Sequence, residues 1–202
     1  PEAFRIGAMV PLRALEQHPG LDALTRGAMA ESVRHIVGVQ FRNLATVGGS
    51  IYGRFGFSDV LTLFLALDAV VELHHGGAVP LADYAARPYE RDILTHVVIP
   101  KQPGNVAYLA QRNISTDFPV LTCAVAVRAG GVRCAIGARP MKAQLYTGDP
   151  ALLAGGITPE SAAAFGESIA AEVAFSSNLR AGADYRRAVC PVLVRRALLA
   201  CK

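Results

Sequence analysis

The sequence predicts an α+β chain in two subdomains, residues 1–100 and 105–202, and three observations carry that prediction. Apolar residues recur at helical spacing between Leu21 and Ile36 and again after Thr158. Short runs rich in β-formers, bounded by Gly or Pro, lie between Ala69 and Ile136. Lys101-Gln102-Pro103-Gly104-Asn105, directly after Pro100, breaks either regular structure and reads as a linker. With 202 residues, 52% of them hydrophobic and 18% charged, the chain can bury one large core or two small ones, which excludes a disordered or fibrous protein.

In chain order, Phe4 to Val10 reads as a short strand. Leu21, Leu24, Ala28, Val33 and Ile36 predict a helix over Leu21 to Val37, stopped by Gly38. Val39 to Gly53 is rich in turn formers and centred on Thr46-Val47-Gly48-Gly49-Ser50. Ser58-Asp59 then caps a helix running through Leu67, so a glycine-rich loop is expected between two helices. Val70 to Leu73, Val79 to Leu81 and Leu94 to Ile99 read as strands and close the first unit near Pro100. After the linker, Val106 to Gln111 and Val120 to Val127 are strands, and Ala129-Gly130-Gly131 turns the second into Val132 to Ile136 as a hairpin. Thr158-Pro159-Glu160 starts a helix that continues to Val173. A last helix begins near Ala183 with Tyr185, Val189 and Leu193 on one face, and Pro191 is expected to kink it.

Composition narrows the function classes. The longest apolar stretch, Val60 to Val71, is interrupted by Thr62 and Asp68 and falls short of the roughly 20 residues that a bilayer span needs, so no membrane span is expected. No leader precedes Phe4, although a chain that opens without methionine can have lost its beginning. Cys123, Cys134, Cys190 and Cys201 are widely spaced, which disfavours cluster or zinc ligation and fits free thiols in a reducing cytoplasm. The net charge of +4 is scattered except in the tail (Arg180, Arg186, Arg187, Arg195, Arg196). Without Trp or interleaved aromatics there, no nucleic-acid partner is expected. His74 and His75 are adjacent on a strand and point to opposite faces, so they do not share a metal. His18, His35 and His96 have no ligand-spaced Cys or carboxylate, no serine sits in a nucleophile elbow, and no protein acid, base or nucleophile stands out.

One segment carries chemistry. A double glycine between Thr46 and Ser50 lets backbone N–H groups approach an anion without Cβ interference, and both hydroxyls can donate to phosphate oxygens. Gly-Gly between polar residues is also an ordinary turn, and it matches neither the G-x-G-x-x-G nor the P-loop template.

The surrounding run, Gln40-Phe41-Arg42-Asn43-Leu44-Ala45-Thr46-Val47-Gly48-Gly49-Ser50-Ile51 with Ser58-Asp59 downstream, resembles the second flavin-binding motif of the FAD subunits of molybdenum hydroxylases, the xanthine and carbon monoxide dehydrogenase type. Phe4 to Ala8 is similar to that family's entry strand, Ile93 to Pro100 to its strand ending in Ile-Pro, and Ser177 to Leu198 to its carboxy-terminal helix. Nearly the whole chain is covered, in order. The resemblance implies the middle α/β subdomain of a PCMH-like FAD-binding fold, followed by an antiparallel sheet with helices. It implies that Thr46, Val47, Gly48, Gly49 and Ser50 line the FAD diphosphate and ribityl region and that Asp59 is an acidic FAD contact, a role compatible with its capping the next helix. Ile36 and Leu94 match apolar positions that touch the flavin or adenine, against plain core packing. Phe118 matches a side chain near the isoalloxazine ring, against an ordinary core phenylalanine. Two departures stand out. The family's other flavin motif, in an amino-terminal lobe, would precede Pro1, and the lysine often found after the aromatic residue of the opening strand is replaced in Tyr108-Leu109-Ala110-Gln111.

The implied function is electron transfer. A molybdopterin-binding large subunit hydroxylates substrate, an iron–sulfur small subunit relays electrons, and this chain's FAD passes them to an acceptor such as NAD+ or a quinone. The basic tail reads either as a docking face for those subunits or as a solvated helix face. The alternatives are a flavin-free assembly subunit that retains the fold and a free-standing FAD reductase.

Overall fold

The computed structural model describes residues 2–202. β1 (Ala3–Gly7) leads into the short helices α1 (Leu12–Gln17), α2 (Pro19–Thr25), α3 (Ala28–Arg34), α4 (Val39–Arg42) and α5 (Val47–Tyr52), then α6 (Asp59–Ala66). β2 (Val70–Leu73), β3 (Gly77–Pro80), α7 (Leu81–Ala86) and β4 (Leu94–Pro100) complete an antiparallel sheet of order β1-β4-β2-β3. β5 (Asn105–Gln111), β6 (Leu121–Arg128), β7 (Gly131–Gly137) and β8 (Gln144–Tyr146) form a second antiparallel sheet in sequential order. A 3-10 turn (Pro150–Leu153), α8 (Pro159–Glu172) and α9 (Ala183–Ala200) follow. The α+β class and the main strands agree with the sequence reading.

α6 is the axis of the molecule. Ser58 Oγ accepts from Leu61 N at 3.1 Å, which starts the helix, and every residue of Asp-Val-Leu-Thr-Leu-Phe-Leu-Ala is buried. The second sheet presents small residues to it. Ala124, Ala126 and Ala135 join the same core as Val60, Leu61, Leu63 and Phe64, and Thr62 Oγ1 meets Thr122 Oγ1 at 2.9 Å. Alternate residues on these strands, Cys123, Val125, Cys134 and Ile136, point the other way into a second core covered by α8 and α9. One sheet therefore serves two cores, and the strand period decides which side chain enters which.

The helix expected over Leu21 to Val37 is two helices. Arg26 and Gly27 both adopt left-handed backbone, with φ of 52° and 88°, and Thr25 Oγ1 accepts from Met29 N at 3.0 Å to start α3. The expected strand over Val79 to Leu81 stops at Pro80, because Leu81 already begins α7. The glycine-rich loop is instead the capped first turn of α5, and α9 runs without interruption through Pro191. Thr158 caps α8 through Ser161 N at 3.1 Å.

All four cysteines are buried free thiols of the second core, and burial pushes Cys190 up to about 12 and Cys201 to about 11. No helix among the described residues is long and apolar enough to cross a membrane.

Candidate functional site

A cleft of about 460 Å³ opens between the α3–α4 corner, the start of α5 and α6, and the 112–120 connection joining β5 to β6. That volume lies within the range of small-molecule and cofactor sites, roughly 300–1,000 Å³. Ile36, Thr46, Gly49, Ser50, Asp59 and Phe118 line it. Val47 and Gly48 lie underneath, Val47 in the core and Gly48 against Ala8. Leu94 does not reach the cleft. It is buried at the start of β4, paired with Leu73 of β2.

The cradle works differently from the sequence expectation. Val47 N donates to Val10 O at 3.0 Å, Gly48 N to Ala8 O at 2.8 Å and Gly49 N to Thr46 Oγ1 at 3.1 Å. The first backbone donors of α5 are therefore spent on β1's exit and on the cap, which corrects the picture of bare N–H groups awaiting an anion. Gly48 is needed because a Cβ there would meet Ala8 Cβ at 2.7 Å and Ala8 O at 2.9 Å. Ser50 Oγ donates to Thr46 O at 3.1 Å. This edge of the cleft thus offers the Thr46 hydroxyl proton, the Ser50 oxygen as acceptor, and the side-chain-free surface of Gly49.

Two arginines hold the walls. Arg42, inside the motif but not singled out from sequence, is buried and donates from Nε to Glu16 Oε2 at 2.9 Å. It also donates from Nη1 to Ile36 O at 3.2 Å and Val37 O at 3.4 Å, which fixes the turn where Val37 adopts a φ of 49°. Burial raises the Glu16 carboxyl, but bonds from Arg13 and Arg42 outweigh it and leave it below the ordinary carboxylate range. A depressed folded value means stability that is present above the unfolded value and lost as pH falls through the folded one. Glu16→Gln is expected to cost about 1 kcal/mol at neutral pH and nothing in acid below that range, read from denaturant midpoints against pH.

Arg112 is the second. Asp59, only 4% exposed at the first position of α6, accepts from the Tyr108 hydroxyl of β5 and from Arg112 Nη2, while Arg112 Nη1 donates to Asp117 O at 2.5 Å. Burial pushes the Asp59 carboxyl up against the pull of Arg112 and Tyr108, and burial beside Asp59 pushes the Tyr108 hydroxyl well up. The network joins α6 to the second sheet beneath the cleft. Arg112 lies 53 residues from Asp59, and nothing in its local sequence marks it. His35 Nδ1 meets Ser115 Oγ at 3.0 Å and ties the 112–120 connection to the end of α3. At the mouth, Phe57 and Phe118 have ring centres 4.2 Å apart, and Phe57 stacks on Phe55. No group of three or more His, Cys, Asp or Glu among the described residues is placed to hold a metal ion.

An apolar slot with aromatic walls and a few polar groups at one edge suits a flat conjugated ring attached to a polar chain. Comparison with known proteins identifies the family. Residues 1–102 match the family described as FAD binding domain in molybdopterin dehydrogenase. The nicotine 6-hydroxylase medium subunit of Paenarthrobacter nicotinovorans is 28% identical over 209 residues, covering 96% of this chain and 74% of that protein. The Escherichia coli K12 protein YgfM, itself uncharacterized, is 32% identical over 197 residues, covering 95% of this chain and 70% of its own length. The fold matches a chain of carbon monoxide dehydrogenase from Hydrogenophaga pseudoflava with a TM-score of 0.89 and 26% identity, covering 100% of this chain and 75% of that one. With the motif, the fold and the relatives in agreement, this chain belongs to the FAD-binding medium-subunit family of the molybdopterin dehydrogenases.

Proposed function

We propose that this chain binds FAD in the cleft between α5, α6 and the 112–120 connection, and serves as the electron-transfer subunit of a molybdenum hydroxylase. The observation that carries this reading is the coincidence of the Thr46–Gly49–Ser50 edge with the aromatic mouth in one cleft of suitable size. Bound FAD supplies the exchange of one or two electrons. The chain's own residues bind and orient it. Thr46 donates its hydroxyl proton to the polar chain of the cofactor, Gly49 leaves room for close approach, and Ile36 and Phe118 shield the ring from water. The Asp59–Arg112–Tyr108 network keeps the two walls in register.

Electrons would arrive from an iron–sulfur small subunit that serves a molybdopterin-bearing large subunit, and would leave to an acceptor such as NAD+ or a quinone. Division of labour within the chain follows the two sheets, with subdomains 1–100 and 105–202 meeting at residues 101–104. A flavin-free assembly subunit is the competing reading, favoured by the internal use of the first N–H groups of α5. FAD titration of the purified protein separates the two. Saturable uptake of one FAD, lost in Gly49→Val with the fold intact by circular dichroism, supports the flavoprotein. Absence of uptake at any concentration leaves the assembly subunit.

A further inference from the structure

Phe118 is held at the cleft mouth by more than its own packing. It is 44% exposed and its partner Phe57 40% exposed, so neither ring is fixed by burial. They come from opposite walls, Phe57 from the connection before α6 and Phe118 from the connection after β5, and they meet across the opening.

The segment before α9 reaches Phe118. Arg180 places its guanidinium 4.8 Å from the centre of the Phe118 ring. It also donates to Asp117 from Nη2 at 2.9 Å and from Nε at 3.2 Å to each carboxylate oxygen. Asp117 Oδ1 in turn accepts from Phe118 N at 2.7 Å, so one carboxylate joins the arginine to the backbone that carries the ring. Arg180 and Phe118 are thereby coupled through ring face and main chain together.

The arm bearing Arg180 is itself anchored. Arg180 N donates to Asn178 Oδ1 at 2.9 Å, and Arg180 O accepts from Asn113 Nδ2 at 3.1 Å. Asn178 Oδ1 also accepts from Arg186 Nη2 at 2.6 Å. The fully buried Arg186 further donates to Val120 O at 2.9 Å, Ser176 O at 2.7 Å and Ala181 O at 2.6 Å. A turn rooted in the core thus presents a forked cation to an exposed aromatic ring.

We propose that Arg180 is a positioning residue that, with Asp117, clamps Phe118 against Phe57 as a gate over the cleft, slowing both the release of FAD and the approach of small redox-active solutes. This rests on the reading that the cleft holds FAD. A salt bridge that only joined two surface loops would leave the bound cofactor unaffected, whereas a clamp changes how fast FAD leaves.

The test uses FAD-loaded protein and two readouts that need no electron-transfer partner: the FAD dissociation rate, and the rate at which dithionite bleaches the flavin band. Arg180→Gln should raise both by about five- to tenfold, the combined size of an exposed ion pair and a cation–π contact. Arg180→Lys, which loses the fork but keeps the charge, should fall between it and wild type. Phe118→Ala should match or exceed Arg180→Gln, and the double variant should be no faster than Phe118→Ala alone, because Arg180 acts through the ring. Unchanged rates in Arg180→Gln, or effects of the two substitutions that multiply, overturn the clamp while leaving FAD binding in place. Wild-type protein that takes up no FAD overturns both readings. Should Arg180→Gln fail to fold, Asp117→Asn breaks the same clamp from its other end and is judged by the same rates.

Discussion

Arg112→Ala is expected to lower the unfolding free energy by about 3–5 kcal/mol at neutral pH, the cost of leaving one member of a buried ion pair alone. Asp59 is then a carboxylate with the Tyr108 hydroxyl as its remaining side-chain donor, sealed between α6 and β5. Burial already pushes its carboxyl up, and removing the cation pushes it further. A folded value above the unfolded one gives stability that is present below the unfolded value and lost as pH rises through the folded one. The variant should therefore recover relative to wild type on acidification into the ordinary carboxylate range, where Asp59 takes up a proton and no longer needs Arg112. Urea unfolding at neutral and mildly acidic pH measures this. The double variant Asp59→Asn, Arg112→Met should lose less than Arg112→Ala, because neither buried group is left charged without a partner. A loss below about 1 kcal/mol in Arg112→Ala, with no pH dependence, would show that the pair is solvated and that the two halves are held together by apolar packing alone.

Gly48→Val is expected to remove FAD binding and destabilise the fold together. The clash is with Ala8, including its backbone oxygen, which cannot rotate away, and the hydrogen bond from Gly48 N to Ala8 O at 2.8 Å would go with it. Overpacking of this kind costs about 1–3 kcal/mol. Moving the start of α5 off β1 also shifts Thr46, Gly49 and Ser50, and a displacement of about 1 Å at a positioning edge can weaken function by about 100-fold. Gly49→Ala is the control. A Cβ there meets Thr46 Oγ1 at 3.2 Å, a contact that small adjustments relieve, so the fold should tolerate it. FAD titration and thermal unfolding of the pair check both expectations. If Gly48→Val melts like wild type and binds FAD as tightly, the close contact with Ala8 is not what places the edge.

Several features were legible because their causes are local. The Ser58 and Thr158 caps depend on a hydroxyl within three residues of the N–H groups it serves. The β6–β7 hairpin follows from Gly130-Gly131 between two apolar runs. The burial of α6 follows from a segment with hardly a polar side chain. Other features went unread because the sequence holds competing local signals. Arg26 in left-handed backbone breaks a helical pattern whose apolar spacing continues undisturbed, and Leu81 fits a strand until Pro80 ends one. The double glycine was visible, but Gly48 is small to let α5 touch β1, while Gly49 faces the cleft. Telling them apart needs a neighbour 40 residues away.

By itself, the sequence determined the α+β class, the position of the glycine-rich turn at Thr46–Ser50 and the family to which the chain belongs, because these reside in short contiguous stretches whose chemistry acts on their own backbone. Tertiary structure alone decided that Arg112 pairs with Asp59, that Arg42 fixes the Ile36 turn, that Leu94 belongs to the core, that Arg180 pairs with Asp117 beside Phe118, and that Arg186 is buried against Val120 O. The physical reason is that a buried charge must find its partner in space. Partners here lie from 5 to 66 residues away, at separations that no periodicity of helix or strand records.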